Sequence, residues 1–217
     1  MKIILIMGLM FLIQSCSVSS SEYRKLMDPI KKIKLEEQKL GKPAAVFDGI
    51  AEPNFPDENE NNKTLEGVDS NRDGVRDDIE IWINRTAEDQ YIRIELKEYY
   101  QTLYAKHVIL INSDASDAEK NELDYKDSKA RRCLSVTLYP YKKIYLSKQI
   151  EIPDFYIDRL YQLTFNTSKR SRLVSAANSY QYQISRGVET GDYSFCSKKI
   201  PQSYFVKVIK DYQEQAK

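Results

Sequence analysis

The chain has 217 residues, 41% of them hydrophobic and 30% charged, and its 33 Lys and Arg stand against 32 Asp and Glu. Acids and bases are interspersed, so there is no electrostatic footprint for nucleic acid. Seven glycines form no phosphate-cradling loop, there is no G-x-S-x-G or S-x-x-K arrangement, and the single histidine, His107, leaves a histidine-based zinc site without ligands.

Residues 1–15 read as a signal peptide. Lys2 provides the positive start, and Ile3 to Ile13 form an apolar run of eleven residues. That is well short of the roughly 20 needed to span a bilayer. Directly after it stands Ile13-Gln14-Ser15-Cys16. This tetrapeptide resembles the lipobox of bacterial lipoproteins, which implies cleavage before Cys16 and lipidation of that cysteine. Lipoprotein cysteines carry two or three acyl chains, enough for firm anchoring where one chain is marginal. Ser17 stands where an aspartate would signal retention in the inner membrane, so the expected location is the outer membrane, facing the periplasm. Removing residues 1–15 takes away Lys2 and no acid, leaving 32 bases against 32 acids and a formal charge of zero.

With Cys16 lipidated, Cys133 and Cys196 remain, an even pair in an oxidising compartment. A disulfide between them is expected, closing a loop of about 60 residues and restricting the unfolded chain by roughly 4 kcal/mol. Two free buried thiols are the alternative.

Residues 16–62 are expected to be a lipidated tether, a short helix and a linker. The polar stretch 17–27 is the tether. Asp28-Pro29 has the form of an N-cap followed by proline at the first helical position, Leu26, Ile30, Ile33 and Leu40 fall at helical spacing, and Gly41 is placed to end the helix. Glu37 interrupts the apolar stripe, which predicts a loosely docked helix or a partly ordered stalk. Pro43, Pro53, Pro56 and the polar run 57–62 then predict an extended linker.

The remainder, 63–217, is of single-domain size. Ile79, Trp82 and Ile83 share a helical face, although Ile79-Ile81-Ile83 also permits a strand. Thr86 and Asp89 resemble a capping box opening a helix with Ile92, Leu96, Tyr99, Leu103 and Leu110 on one face. Ser116 and Glu119 form another, ahead of Leu123, Ala130 and Leu134. Pro140, Pro153 and Pro201 each stand where a helix could begin. The pattern after Pro153 runs through Tyr156, Leu160, Leu163, Leu173 and Ile184 to Gly187, and a last helix carries Phe205, Ile209 and Tyr212. The expected fold is all-α, a single compact helical domain following the signal peptide, N-terminal helix and linker.

The stretch whose spacing dictates a chemistry is Asp69 to Glu80. It fills D-x-[DN]-x-[DN]-G-x₅-E with Asp69, Asn71, Asp73, Gly74 and Glu80. A hard divalent cation takes six to eight oxygens. Asp69, Asn71 and Asp73 would each give a side-chain oxygen, Val75 its carbonyl, Asp77 a water-mediated contact and Glu80 both carboxylate oxygens. The twelve residues resemble an EF-hand loop and, equally, the calcium loops of dockerin and thrombospondin type 3 repeats. The resemblance implies Ca2+ as the cofactor. Position eight, normally aliphatic for pairing with a second loop, is Arg76, and no second loop exists, which implies a lone half-EF-hand with structural calcium. Together with its signal, the segment resembles uncharacterised bacterial lipoproteins.

The sixteen tyrosines would either complete the core or offer an aromatic surface to a glycan or an envelope protein. His107 has no evident acid partner and reads as structural. The functional expectation is therefore a calcium-binding envelope lipoprotein that acts by binding. The alternative is a periplasmic hydrolase using a carboxylate pair that spacing does not reveal.

Overall fold

The computed structural model describes residues 20–111, 115–138, 152–178, 196 and 198–215. Within them the protein is all-α, with one two-stranded ribbon. The helices are α1 (Ser20–Lys39), α2 (Glu58–Lys63), α3 (Asp77–Thr86), α4 (Gln90–Ile111), α5 (Asp117–Leu138), α6 (Ile152–Thr164), α7 (Ser168–Asn178) and α8 (Gln202–Gln215). Cys16, Pro140, Tyr180, Ile184 and Gly187 lie outside the described residues.

Helix α3 is the centre. All residues from Asp77 to Asn84 are buried, which accounts for the double periodicity of Ile79, Ile81 and Ile83: both faces of the helix meet protein. It packs against α1, α4 and α6, and α4 lies along α5 and also touches α6 and α7. The main core joins Ile79, Trp82 and Ile83 to Leu96, Tyr99, Leu103, Leu134, Leu160 and Leu163.

The N-terminal region differs from expectation. Helix α1 begins at Ser20 rather than at Pro29, with the proline inside it. An interior proline costs about 3 kcal/mol. Here tertiary contact offsets it, because Tyr23 and Met27, one turn apart, are both set into the domain. Met27 is a core residue, and the Tyr23 hydroxyl donates to Asp78 Oδ2 at 2.7 Å. Most of the expected tether is therefore packed helix. Gly41, at φ +60°, does close the helix, its N–H reaching Gln38 O while Lys42 N–H reaches Glu37 O.

The expected extended linker also has structure. Val46-Phe47 and Ile50-Ala51 pair as an antiparallel ribbon across Asp48-Gly49, both at positive φ. That dipeptide is a strong hairpin signal that the proline count obscured. Phe47 lies against the guanidinium groups of Arg85 and Arg93 at 5.7 and 5.6 Å. Buried Glu52 accepts from Lys34 at 2.7 Å and from Arg85 at 2.6 Å, and so ties the ribbon to α1 and α3. Asp57 caps α2 by accepting from the Asn59 and Glu60 N–H groups.

Three further local expectations resolve differently from one another. The Ser116–Glu119 capping box forms in both directions, with Glu119 Oε2 accepting from Ser116 N–H at 2.8 Å and Ser116 Oγ accepting from Glu119 N–H at 3.3 Å. Helix α4, by contrast, is capped by Asp89, which accepts from Tyr91 and Ile92 N–H, whereas the Thr86 hydroxyl turns back to Trp82 O. The single pattern after Pro153 is two helices: Thr167 Oγ1 accepts from Arg170 N–H and starts α7 afresh.

Tyr99, Tyr100 and Tyr156 belong to the core, and the Tyr99 hydroxyl is buried rather than at the surface. His107 is buried on α4, its Nδ1 2.8 Å from Leu103 O and its ring against Phe165 and Tyr161. Burial holds the imidazole below its ordinary 6.5; the contact with Leu103 and nearby Asp127 work the other way, and Lys106 and Arg131 add to the depression. The folded chain binds this proton more weakly than the unfolded one. The contribution of His107 is therefore complete above about pH 6.5 and is lost as pH falls through the lowered value. In melts taken at about pH 7, 6 and 5, His107→Phe should show a shallower acid-side decline than the natural chain; equal slopes would remove His107 as its cause.

Candidate metal centre

The twelve-residue loop is held at its neck by the Asp77 N–H, which donates to Val68 O at 2.8 Å. The chain reverses at Gly74, φ +85°, as the pattern requires. Gly67, φ +76°, is needed for space as well: a Cβ there would run into Arg76 Cδ, Asn61 Oδ1 and an Arg170 guanidinium nitrogen.

The oxygen-bearing side chains are stitched to the loop's own backbone. Asp69 accepts from Asp73 N–H at 3.3 Å and from Gly74 N–H at 2.9 Å. Asn71 Oδ1 accepts from Asp73 N–H at 3.0 Å, and Asp73 Oδ1 from Val75 N–H at 2.8 Å. Asp77 reaches back across the loop, accepting from the Ser70 N–H and hydroxyl at 2.9 and 3.2 Å. The Asn71 amide nitrogen donates to Glu80 Oε2 at 3.1 Å and lies 3.4 Å from Asp73 Oδ2. Asn71, Asp73 and Glu80 therefore meet through the Asn71 amide nitrogen, while Asp77 is engaged with Ser70.

Two residues of α4 border the loop. Lys97 Nζ lies 2.6 Å from Glu80 Oε1, and Gln101 Nε2 donates to Asp73 O at 2.6 Å. Burial pushes the Glu80 carboxyl upward, with the Lys97 hydrogen bond and charge opposing it. Burial raises Asp77 too, against its bonds to Ser70. The donors are hard oxygens and suit calcium or magnesium rather than a soft metal.

Beneath the loop lies a buried ionic group that the pattern does not disclose. Arg76, at position eight, turns inward. Its Nε and one terminal nitrogen grip both oxygens of Asp78 at 2.5 and 3.1 Å, and it donates to Leu163 O at 2.7 Å, near the end of α6. Arg170 of α7 answers in the other direction, donating to Leu65 O at 3.0 Å, to Thr64 O and to Asn61 O. Burial, and then the positive charge of Arg76, lower the Arg170 guanidinium to about 10. Arg76 of the loop thus reaches the end of α6, and Arg170 of α7 reaches the segment 61–65 that leads into the loop. A non-aliphatic residue at position eight was the signal, but nothing local tells where its side chain goes.

Among the described residues, one trio of His, Cys, Asp or Glu has ligand atoms all within 4.8 Å of one another: Glu95, Cys133 and Cys196. Both sulfurs are joined in a disulfide, with Cα atoms 5.6 Å apart, so the expected bridge is present and the trio is no calcium site. Asp124 and Asp127 both contact Lys106, at 2.7 and 3.1 Å, and Asp127 also meets Arg131 at 3.1 Å, so the two carboxylates face two cations. No described helix is long and apolar enough to cross a membrane. Compared with known proteins, the chain matches no family model, no curated protein and no solved structure.

Proposed function

We propose that this protein is a lipid-anchored, calcium-binding protein of the bacterial envelope, held at the outer membrane by Cys16, facing the periplasm and acting by binding rather than catalysis. The observation that carries the reading is the loop: ordered oxygen donors from Asp69 to Glu80, a reversal at a positive-φ glycine, and the last donor on the first turn of the central helix. Asp69, Asn71 and Asp73 would hold the ion by side-chain oxygens, Val75 by its carbonyl, Asp77 through a water and Glu80 by its carboxylate. Bound calcium would supply positive charge among the four ligating carboxylates, Asp69, Asp73, Asp77 and Glu80.

Its role would be structural, because the loop adjoins the paired arginines and the start of α3. Cys16 precedes Ser20, the first residue of α1, by four positions, so the anchor would lie within about 14 Å of that residue. A protein or glycan partner in the envelope would find apolar surface at Leu40, Val46 and Ile50, all more than half exposed.

The test is a thermal melt of the full-length chain in detergent. Extracellular calcium modules bind at about 10⁻⁴–10⁻³ M, so about 10 mM calcium should stabilise by roughly 1.4–2.7 kcal/mol over chelator. That corresponds to a rise of about 3–10 °C, absent in Glu80→Ala. Equal melts of the natural chain in both buffers, with no heat on calorimetric titration, would overturn the reading.

A further inference from the structure

We propose that Lys97 is a built-in competitor for the calcium loop: its ammonium and the ion claim the same carboxylate of Glu80, so helix α4 sets the affinity of the site. The inference rests on the reading that residues 69–80 bind calcium, and it deepens that reading.

The Glu80 side chain is 1% exposed, and both of its oxygens are in use, Oε1 by Lys97 at 2.6 Å and Oε2 by the Asn71 amide at 3.1 Å. A buried carboxylate with no counter-charge is strongly unfavourable, so Lys97 offsets a cost that would otherwise fall on the loop without metal. The twelfth residue of such a loop serves calcium with both oxygens. An ammonium bonded to one of them would lie within a few ångströms of a dication. At that range like charges repel strongly, even when partly screened. Glu80 therefore serves one cation fully or the other.

Lys97 is built to yield. Its side chain is 19% exposed, against 1% for its partner, and its flexible stem can carry the charge out to water. Gln101, one turn further along α4, stays fixed on the backbone: it bonds Asp73 O and lies where a Cβ on Gly74 would come within 3.2 Å of it. One contact of α4 thus holds the loop's shape and the other contests its ligand.

A lysine that merely braces the fold and a lysine that competes make opposite predictions. Removing a brace weakens the protein with or without calcium and does not improve binding. Removing a competitor destabilises the metal-free form alone, and by linkage calcium binds more tightly. The test is calorimetric titration of calcium into the full-length chain in detergent, comparing the natural protein with Lys97→Met, Lys97→Gln and Lys97→Arg, with melts of each in chelator and in calcium.

Lys97→Met and Lys97→Gln should bind calcium about tenfold more tightly or better, as expected when one partner of a largely buried pair is lost from the competing state. Both should melt earlier than the natural chain in chelator and regain most of that loss in calcium. Lys97→Arg, which keeps the charge, should stay close to the natural affinity. Binding seen only in the uncharged variants would support competition and overturn calcium binding by the natural chain. Equal affinities in all four proteins would overturn the inference and leave calcium binding intact. Silence in all four, the glutamine variant covering any failure of the methionine variant to fold, would overturn both.

Discussion

Replacing Asp78 by alanine should lower the stability of the folded chain by about 3–5 kcal/mol, the cost of breaking a buried ion pair from one side. The Asp78 side chain is fully buried and serves four donors: two nitrogens of Arg76, the Tyr23 hydroxyl and the Ile79 N–H. Its charge also acts on Arg170, which is 1% exposed and close enough to feel Arg76 and Asp78 in opposite directions. Without Asp78, Arg76 keeps its bonds to Leu163 O and Thr164 O but loses its counter-charge. Domains have about 5–15 kcal/mol in all, so this one change takes a large part of it.

Chemical denaturation of Asp78→Ala and Asp78→Asn would check the expectation. Asparagine keeps one acceptor oxygen, for either the Tyr23 hydroxyl, which uses Oδ2, or the Ile79 N–H, which uses Oδ1, and loses the charge, so it should fall between alanine and the natural chain. A loss below about 1 kcal/mol in Asp78→Ala would mean that the group behaves like an exposed pair, contrary to its burial. Because Asp78 is not among the proposed calcium ligands, the calcium response should survive in whichever variant folds. That separates the ionic group from the metal site beside it.

The contrast between these neighbours shows what was legible in the sequence. The reversal at Gly74 was readable because the spacing pattern places a glycine there and the backbone takes a positive φ. The Ser116–Glu119 box and the Cys133–Cys196 bridge were readable for similar reasons, one from three-residue spacing and one from a count of two cysteines. Arg76 and Asp78 gave no such signal. Two charged residues in an acidic loop look solvated, and their burial depends on α6 ending where Arg76 can reach its carbonyls, 87 positions away.

Lys97 and Gln101 were hidden in the same way, as ordinary polar residues on a helix whose apolar stripe had already explained it. Helix α1 failed for the opposite reason. Its local signal at Asp28-Pro29 was plausible, and the contacts of Tyr23 and Met27 with the core overrode it. The polar segment 57–62 lacks apolar periodicity altogether. Its helix rests on the Asp57 cap and on buried Asn61, whose Oδ1 accepts from Val68 N–H at 2.9 Å.

Removal of the disulfide is the second large effect expected. Cys133 and Cys196 are 63 positions apart, so in the loop-closure treatment the bond restricts the unfolded chain by roughly 4 kcal/mol. Locally it has a second consequence. Cys196, Ile200 and Phe205 form a small core with Cys133, separate from the main one and flanked by Tyr91, Ile94, Val136 and Tyr204. Helix α8 is therefore joined to the body by the bridge, by the packing of Tyr204 on Tyr91 at 4.6 Å and by the Tyr204 hydroxyl, which donates to Thr137 O at 3.2 Å.

Among the described residues this cluster is small, and without the bond its docking competes directly with the entropy of the released segment. Replacing both cysteines by alanine should thus cost about 4 kcal/mol globally and loosen α8 before the rest. Hydrogen exchange would separate these effects: amides of α8 should lose protection in the double variant while those of α3 and α4 fall only by the global amount. Uniform loss across all helices would show the bridge acting on the unfolded chain alone. Unchanged protection in α8 would mean that Tyr204 and Phe205 suffice to hold it.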